Sequence, residues 1–336
     1  MKSPITGKEM KLVKEQREMT FRKENFEIVF HYYQCEDSGE SFTTTALDEV
    51  NMNQVYNQYR EKFHIPFPDE ICRIRKKYGV PAAKMAEILG FGINSYRHYE
   101  SGEMPSTANA KLIQMINDPQ IFREMVELCS SLELKTKRKY IEKAQLLSEE
   151  KQRNTPRTHV QEYLLGSPLA DRFSGYRNPS LEKLTEMVVF FSHSLSPYKT
   201  KLNKLLFYAD FLMFKQTCFS ISGVRYLAID LGPVPDNFQS LFEFMANEKN
   251  IDITTTEFPS GYSGDLFKGR EDRKFNSELF TEVELETLNK VAHLFRDTST
   301  IQTVELSHLE EAWKKNKKDK GVISYEYAFE LNLLEH

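Results

Sequence analysis

The stretch Cys35-Glu36-Asp37-Ser38 has the outline of a zinc knuckle, but its second ligand position holds serine. A structural zinc ion needs four thiolate or imidazole ligands in a near-tetrahedral array. The companion turn would be Ser3-Pro4-Ile5-Thr6, which has no cysteine, and the nearest imidazoles are His31 and His64. One thiolate with distant histidines does not close such a site. The sequence therefore predicts no metal and no other cofactor. Cys72, Cys129 and Cys218 are scattered along the chain, a pattern of reduced thiols rather than of a disulfide framework.

The remaining reactive side chains give no catalytic pattern. Lys201, Lys204, Tyr208 and Asp210 share one helical stretch, where Asp210 can equally serve as an acceptor for backbone or lysine. "SHLEE" around His308 lacks the two-histidine helical spacing of a zinc protease. Cys218 has no cationic neighbour closer in sequence than Lys215 and reads as a small apolar core residue. The prolines of "GPVPDN" remove the amide donors that a phosphate loop would need. The expectation is a protein that binds rather than catalyses.

The elements that would carry binding come from composition and period. The chain has 336 residues, 40% of them hydrophobic and 12% aromatic, enough for more than one core. No apolar run reaches the roughly 18 residues of a membrane helix, and "MKSPITGKEMKLVKEQRE" has no apolar signal core, so a cytoplasmic protein without a membrane partner is expected. Net charge is −4, unevenly spread. Residues 1–59 carry 7 basic and 10 acidic groups, 60–157 carry 18 and 13, and 158–336 carry 20 and 26. The basic middle is where a polyanion would bind.

In "MTFRKENFEIVFHYYQC", Phe26, Ile28, Phe30 and Tyr32 alternate with a period of two, which predicts a strand, with a turn at Ser38-Gly39. From Leu47 the period becomes helical until the prolines of "HIPFPDE". Residues 69–117 read as several short helices. Asp69 is placed to cap the first and Gly79 to stop it, Pro81 opens "PAAKMAEILG", and a two- or three-residue turn leads into "FGINSYRHYESG". Two short helices so tightly joined form a helix-turn-helix. A highly charged helical stretch follows to about 152, and "NTPRTH" marks a boundary near 154–160. Beyond it, "YKTKLNKLLFYADFLMFKQT" predicts a long buried helix and "VRYLAIDLG" a strand. "GPVPDN" reads as a rigid turn, "IDITTTEF" and "DLFKG" as short strands, and 281–296 and 300–316 as helices.

Two stretches also carry resemblances. The turns "SPITGKEM" and "QCEDSGESF" together resemble the N-terminal zinc ribbon of MqsA-type (YgiT-type) antitoxins with three of four ligands lost. Phe21, Phe26, Phe30, Tyr32 and Phe42 would then replace the metal as the ribbon's core. "AAKMAEILGFGINSYRHYESGEMPS" is similar to the Cro/repressor-like helix-turn-helix that follows in that family. The resemblance implies a recognition helix starting near Gly92, with Ile93, Asn94 and His98 in the major groove and Ser95 and Arg97 in reach of bases or phosphates. Asn can pair with adenine and Arg with guanine, while Lys76, Lys77 and Lys84 would contact phosphates. Tyr96 and Tyr99 are read as packing residues, with a solvated surface residue as the other reading of His98 and a dimerisation or partner-binding unit as the other reading of the motif.

"KLNKLLFYADFLMFKQTCFSISGVRYLAIDLGPVPDNFQSLFEFM" resembles the Panacea (SocA-like) domain of antitoxins. The fold class implied is α+β multidomain: a degenerate zinc-ribbon-like domain over 1–60, a helix-turn-helix domain over 66–130, a charged helical linker over 131–160, and a mainly helical Panacea domain with a small sheet over 161–336. The resemblance implies an antitoxin that neutralises a cognate protein toxin and, as a homodimer, represses its operon by binding operator DNA. Toxin contacts are assigned to Tyr226, Asp230, Pro233, Pro235, Asp236 and Asn237, with capping of the next helix by Asp236 or Asn237 as the other reading. A ligand-sensing regulator and an adaptor that delivers a partner to a AAA+ protease are the alternative functions.

Overall fold

The computed structural model describes residues 1–153, 155–166, 169–258, 261 and 263–332, with only the backbone described at 151–153 and 155–159. The boundary expected at 154–160 thus includes Asn154, which lies outside the described residues. The chain is α+β and divides into two compact units, one formed by 1–55 with 161–336, the other by 56–160.

The first unit opens with a three-stranded antiparallel sheet in the order β1 (Lys11–Phe21), β2 (Glu24–Gln34), β3 (Ser41–Phe42). Residues 1–50, read as strands with a turn only at Ser38-Gly39, are also folded back at Arg22 and Lys23, with φ of 48° and 70°. Two successive positive-φ residues are what the right-handed twist of a two-residue hairpin asks for. Phe26 and Ile28 are buried as the alternation predicts, but Phe30 and Tyr32 are only half-buried. The phase changes at His31, which is buried, and Phe30 lies under the Arg17 guanidinium at 3.7 Å. Met10, Phe26, Ile28 and Cys35 form the buried set, while Phe21 and Phe42 are half-buried. Helix α1 (Thr45–Phe63) closes the sheet edge with side-chain amides. Asn51 accepts from His31 N–H at 2.8 Å and donates to its carbonyl at 3.0 Å. Gln54 does the same to Val29, at 2.9 and 2.8 Å. These amides satisfy backbone groups that a third full strand would otherwise take.

In the second unit α2 (Pro68–Lys77), α3 (Ala82–Ile88), α4 (Ser95–Glu100), α5 (Thr107–Met115), α6 (Pro119–Leu128) and α7 (Leu134–Arg153) surround one core. Phe67, not Asp69, occupies the cap position of α2, because Pro68 already supplies the pre-set first helical φ. Gly79 and Gly90 end α2 and α3 at φ of 67° and 70°. The charged α7 is anchored rather than free: Tyr140 and Ala144 are buried with Ile71, Met85, Ile113 and Phe122.

After α8 (Thr155–Leu165), the first unit resumes with α9 (Leu181–Leu195), an unexpected helix, and α10 (Lys199–Thr217). Every residue of α10 from Lys201 to Phe214 is buried, so the helix is a hub covered on all sides. Strand β4 (Tyr226–Ile229) pairs with β5 (Gly232–Pro235), so "GPVP" is an edge strand and not a turn. Pro233 and Pro235 are two residues apart and lack their N–H on the same side, away from β4, where an edge tolerates them. Helix α11 (Phe238–Asn247) and the hairpin of β6 (Ile251–Glu257) and β7 (Ser263–Gly269) follow. Then come α12 (Glu282–Leu294), α13 (Thr300–Leu309), α14 (Glu311–Lys314), β8 (Val322–Ile323) on the far side of β4, and a 3-10 segment at Tyr325–Glu330. The helix expected over 300–316 breaks at Glu310, whose buried carboxylate accepts from Tyr208 Oη at 3.2 Å and Asn332 N–H at 2.9 Å.

Candidate functional site

The helix-turn-helix is held by polar bonds at each joint. Arg75 grips Glu100 at 2.6 and 3.1 Å and donates to the Val80 carbonyl at 2.8 Å, tying α2 to the end of α4. Tyr96 is buried and donates to the Ile71 carbonyl at 3.0 Å, and the Tyr99 hydroxyl accepts from Asn109 at 2.9 Å. Both tyrosines are packing residues. Arg60 is 2 % exposed and donates to the Gly102 carbonyl at 2.7 Å, and burial lowers its pKa to about 10. The sequence signal for this scaffold was "YESG", whose Tyr, Glu and Gly each close one joint.

The helix expected to serve in recognition begins at Ser95, three residues later than expected, with Asn94 at its cap position. Ile93 and Asn94 therefore stand in the connecting turn. Ile93 is 72 % exposed, Asn94, Arg97 and His98 are exposed, and Ser95 is half-buried. An exposed isoleucine beside Asn, Arg and His is a surface able to meet base edges and a thymine methyl. Lys84 pairs with Glu87 at 2.7 Å on α3, and His98 lies 3.2 Å from Glu103. Lys77 is turned to Asn117, bonding its side-chain oxygen at 2.7 Å, while Lys76 is exposed.

In the other unit the six residues assigned to toxin contact separate by burial. Asp230 and Asn237 are exposed and Asp236 is half-buried, whereas Tyr226, Pro233 and Pro235 are buried. Tyr226 is correctly described as a core residue: it is fully enclosed and donates to Asp210 at 2.8 Å. The two prolines are enclosed because β5 lies against α10, with Lys204 donating to the Pro233 carbonyl at 3.0 Å. Asn237 stands at the cap position of α11 in the left-handed region, φ 53°, but its side chain donates to the Tyr163 carbonyl at 3.1 Å. Asp236 accepts from the Asn237 N–H at 2.8 Å, so neither side chain caps the helix.

Asp210 organises the loop before β4. It accepts from the backbone N–H groups of Ile221 and Ser222, each at 2.8 Å, and from the hydroxyls of Ser222 at 2.5 Å and Tyr226 at 2.8 Å. Burial raises its pKa, and the four donors oppose that rise. A carboxylate with this many fixed donors is a structural anchor, with no open side for a substrate. Lys201 is likewise engaged, donating to the carbonyls of Phe295 at 2.7 Å and Thr298 at 2.5 Å. Cys218 is buried, and its thiol is pushed up by desolvation.

At the degenerate knuckle the hydroxyls stand where ribbon ligands would be. Cys35 is 1 % exposed with Thr6 Oγ1 at 3.3 Å, and hydrogen bonding from Ser38, then Thr6 and Ser3, holds the thiol down at about 6. No group of three metal-binding side chains occurs among the described residues. Hydroxyl oxygens bind zinc poorly beside thiolates, so this donor set does not fit a zinc ion.

The helix-turn-helix region and the region around α10 are each similar to a family of antitoxins from bacterial toxin–antitoxin systems. Residues 1–126 match the family described as the antitoxin component of bacterial toxin–antitoxin system, MqsA, and residues 202–314 match the SocA-like antitoxin family, Panacea domain. A search of curated proteins finds no match. No helix among the described residues is long and apolar enough to cross a membrane.

Proposed function

We propose that this protein is a cytoplasmic, non-enzymatic type II antitoxin that neutralises a cognate protein toxin through its Panacea domain and represses its own operon through its helix-turn-helix. The observation that carries the reading is the occurrence of both antitoxin regions in one chain. The exposure of Ile93, Asn94, Arg97 and His98 around buried Tyr96 and Tyr99 supports the DNA-binding half. Their contacts would be made as a homodimer on a two-fold site with half-sites about 34 Å apart. For toxin contact, the exposed Asp230 and Asn237 with half-buried Asp236 are the accessible candidates among the six assigned residues.

The test is co-expression with the adjacent gene, scored by growth, together with binding to the operon's promoter DNA. Rescue of growth and a salt-sensitive, sequence-specific complex are the expected results. Failure to rescue any neighbouring toxic gene would reject the antitoxin reading, and promoter DNA bound no better than random duplex would reject the repressor half.

A further inference from the structure

The N-terminal ribbon and the C-terminal domain meet along a continuous seam. Lys14 Nζ donates to the Phe329 carbonyl at 2.9 Å, and the His31 ring lies 4.9 Å from the Phe329 ring. Asn53 donates to the Thr217 carbonyl at 3.3 Å, and Cys218 Sγ lies 3.3 Å from the Val50 carbonyl. The seam is dry at its centre: His31, Val50, Cys218 and Phe329 are each below 8 % exposed. Its ribbon side is stiff, because Asn51 and Gln54 fasten α1 to β2 through paired amide bonds. Its other side is equally fixed, since Cys218 ends α10 at φ 61° and Lys215 donates to the Leu331 carbonyl at 3.3 Å. A non-glycine residue holds the left-handed region where its surroundings determine it, and the Val50 carbonyl is part of those surroundings.

We propose that residues 1–55 are an obligatory piece of the Panacea unit, docked on the end of α10 and the Tyr325–Glu330 segment, and that the DNA-binding unit is inserted into this discontinuous fold. The partner that fits the Thr217–Cys218–Phe329 surface is the chain's own ribbon. The buried desolvated contacts (Cys218 with Val50, His31 with Phe329) supply the affinity, and the two side-chain donors Lys14 and Asn53 set the register. This assignment is independent of whether the protein binds toxin or DNA.

The experiment starts from the full chain with a protease site inserted after Arg153, cut once the protein has folded. The pieces are followed by gel filtration and by emission of Trp313, the only tryptophan. The two pieces should remain together at micromolar concentration. Lys14→Glu combined with Asn53→Arg, both at half-buried positions on the ribbon, should weaken that association at least tenfold. Hydrogen exchange on the uncut double variant should quicken in β2 and in 325–331 together. Loss of Trp313 emission or aggregation of the C-terminal piece once the pieces separate would also support an obligatory ribbon. Folded pieces that part without the double variant would overturn the proposal, as would association indifferent to it, or faster exchange in β2 alone.

Discussion

Lys204 is a lysine with nowhere to put its charge. It is fully buried in α10, it donates to the Pro233 carbonyl, its one hydrogen-bond acceptor among the described residues, and burial lowers its pKa from 10.5 to about 7. Gly232 leaves it room, since a Cβ there would lie 2.7 Å from Lys204 Cε. Between pH 7 and 10.5 the unfolded chain binds a proton at this site and the folded one does not. Stability must therefore rise with pH through that window, by about 1.4 kcal/mol per unit from this group, and flatten below pH 7. Over the whole shift the disadvantage at neutral pH is about 5 kcal/mol. Lys204→Met keeps the volume and removes the titration but strands the Pro233 carbonyl, at roughly 1–3 kcal/mol. The variant should then be more stable at pH 7 by about 2–4 kcal/mol, and its advantage should shrink by about 2–3 kcal/mol at pH 9. Trp313 reports on this region, stacked 3.7 Å from His308, which itself feels the Lys204 charge. Urea unfolding followed by Trp313 emission at both pH values is the assay. Equal pH slopes for parent and variant would refute the reasoning, because they would mean Lys204 titrates alike folded and unfolded.

Asn94→Ala should cost about 1–3 kcal/mol on the cognate duplex and relax its sequence preference, while Lys84→Ala should weaken all duplexes alike; binding titrations on specific and random DNA separate the two. Protein purified without a metal column should contain well under one zinc per chain by elemental analysis, and a full equivalent lost on Cys35→Ser would contradict the donor set described. Asp210→Ala should destabilise the C-terminal region by about 3–5 kcal/mol, as it leaves two backbone N–H groups and two hydroxyls without their acceptor, measurable as a fall in the Trp313 transition. Asp236→Arg should impair growth rescue without lowering the melting temperature if the α11 turn is contact surface; loss of rescue with a collapsed melting curve would assign it a structural role instead.

Local pattern carried much of the fold, because much of it is locally determined. The period of β2 up to His31, the tight α3–α4 turn at Gly90 and the burial of α10 follow from residue order. What escaped was set by distant partners. Arg22 and Lys23 make a hairpin turn without the glycine or asparagine that signals one, so the sequence did not place a turn there. "GPVP" forms a strand because β4 pairs with it and α10 accepts its edge, neither of which is visible from two prolines. Glu310 breaks a helical run because Tyr208 and Asn332 hold its carboxylate from 102 and 22 residues away. In α7 the lysines and glutamates dominate the composition, yet Tyr140 and Ala144, four apart, decide where the helix lies. At the candidate sites, exposure separated Asn94 and Asp236 from Tyr226 and the prolines, a distinction that residue type alone does not carry.

The division of the chain has a mechanical consequence. Residues 1–55 and 161–336 form one compact unit, and the helix-turn-helix unit lies between them in sequence. An unfoldase that threads the polypeptide from either direction meets the same unit first. Pulling from the N-terminal side strips β1 and β2 from the Tyr325–Glu330 segment and α1 from the end of α10, and pulling from the other side dismantles the hub from Tyr325 inward. In chain order 56–160 follows the first part of that unit from either side, so a reaction stalled there should leave residues from about 56 onward when pulled from the N-terminal side and residues up to about 160 when pulled from the other. Either fragment would still carry α4 after one part of the larger unit had been consumed.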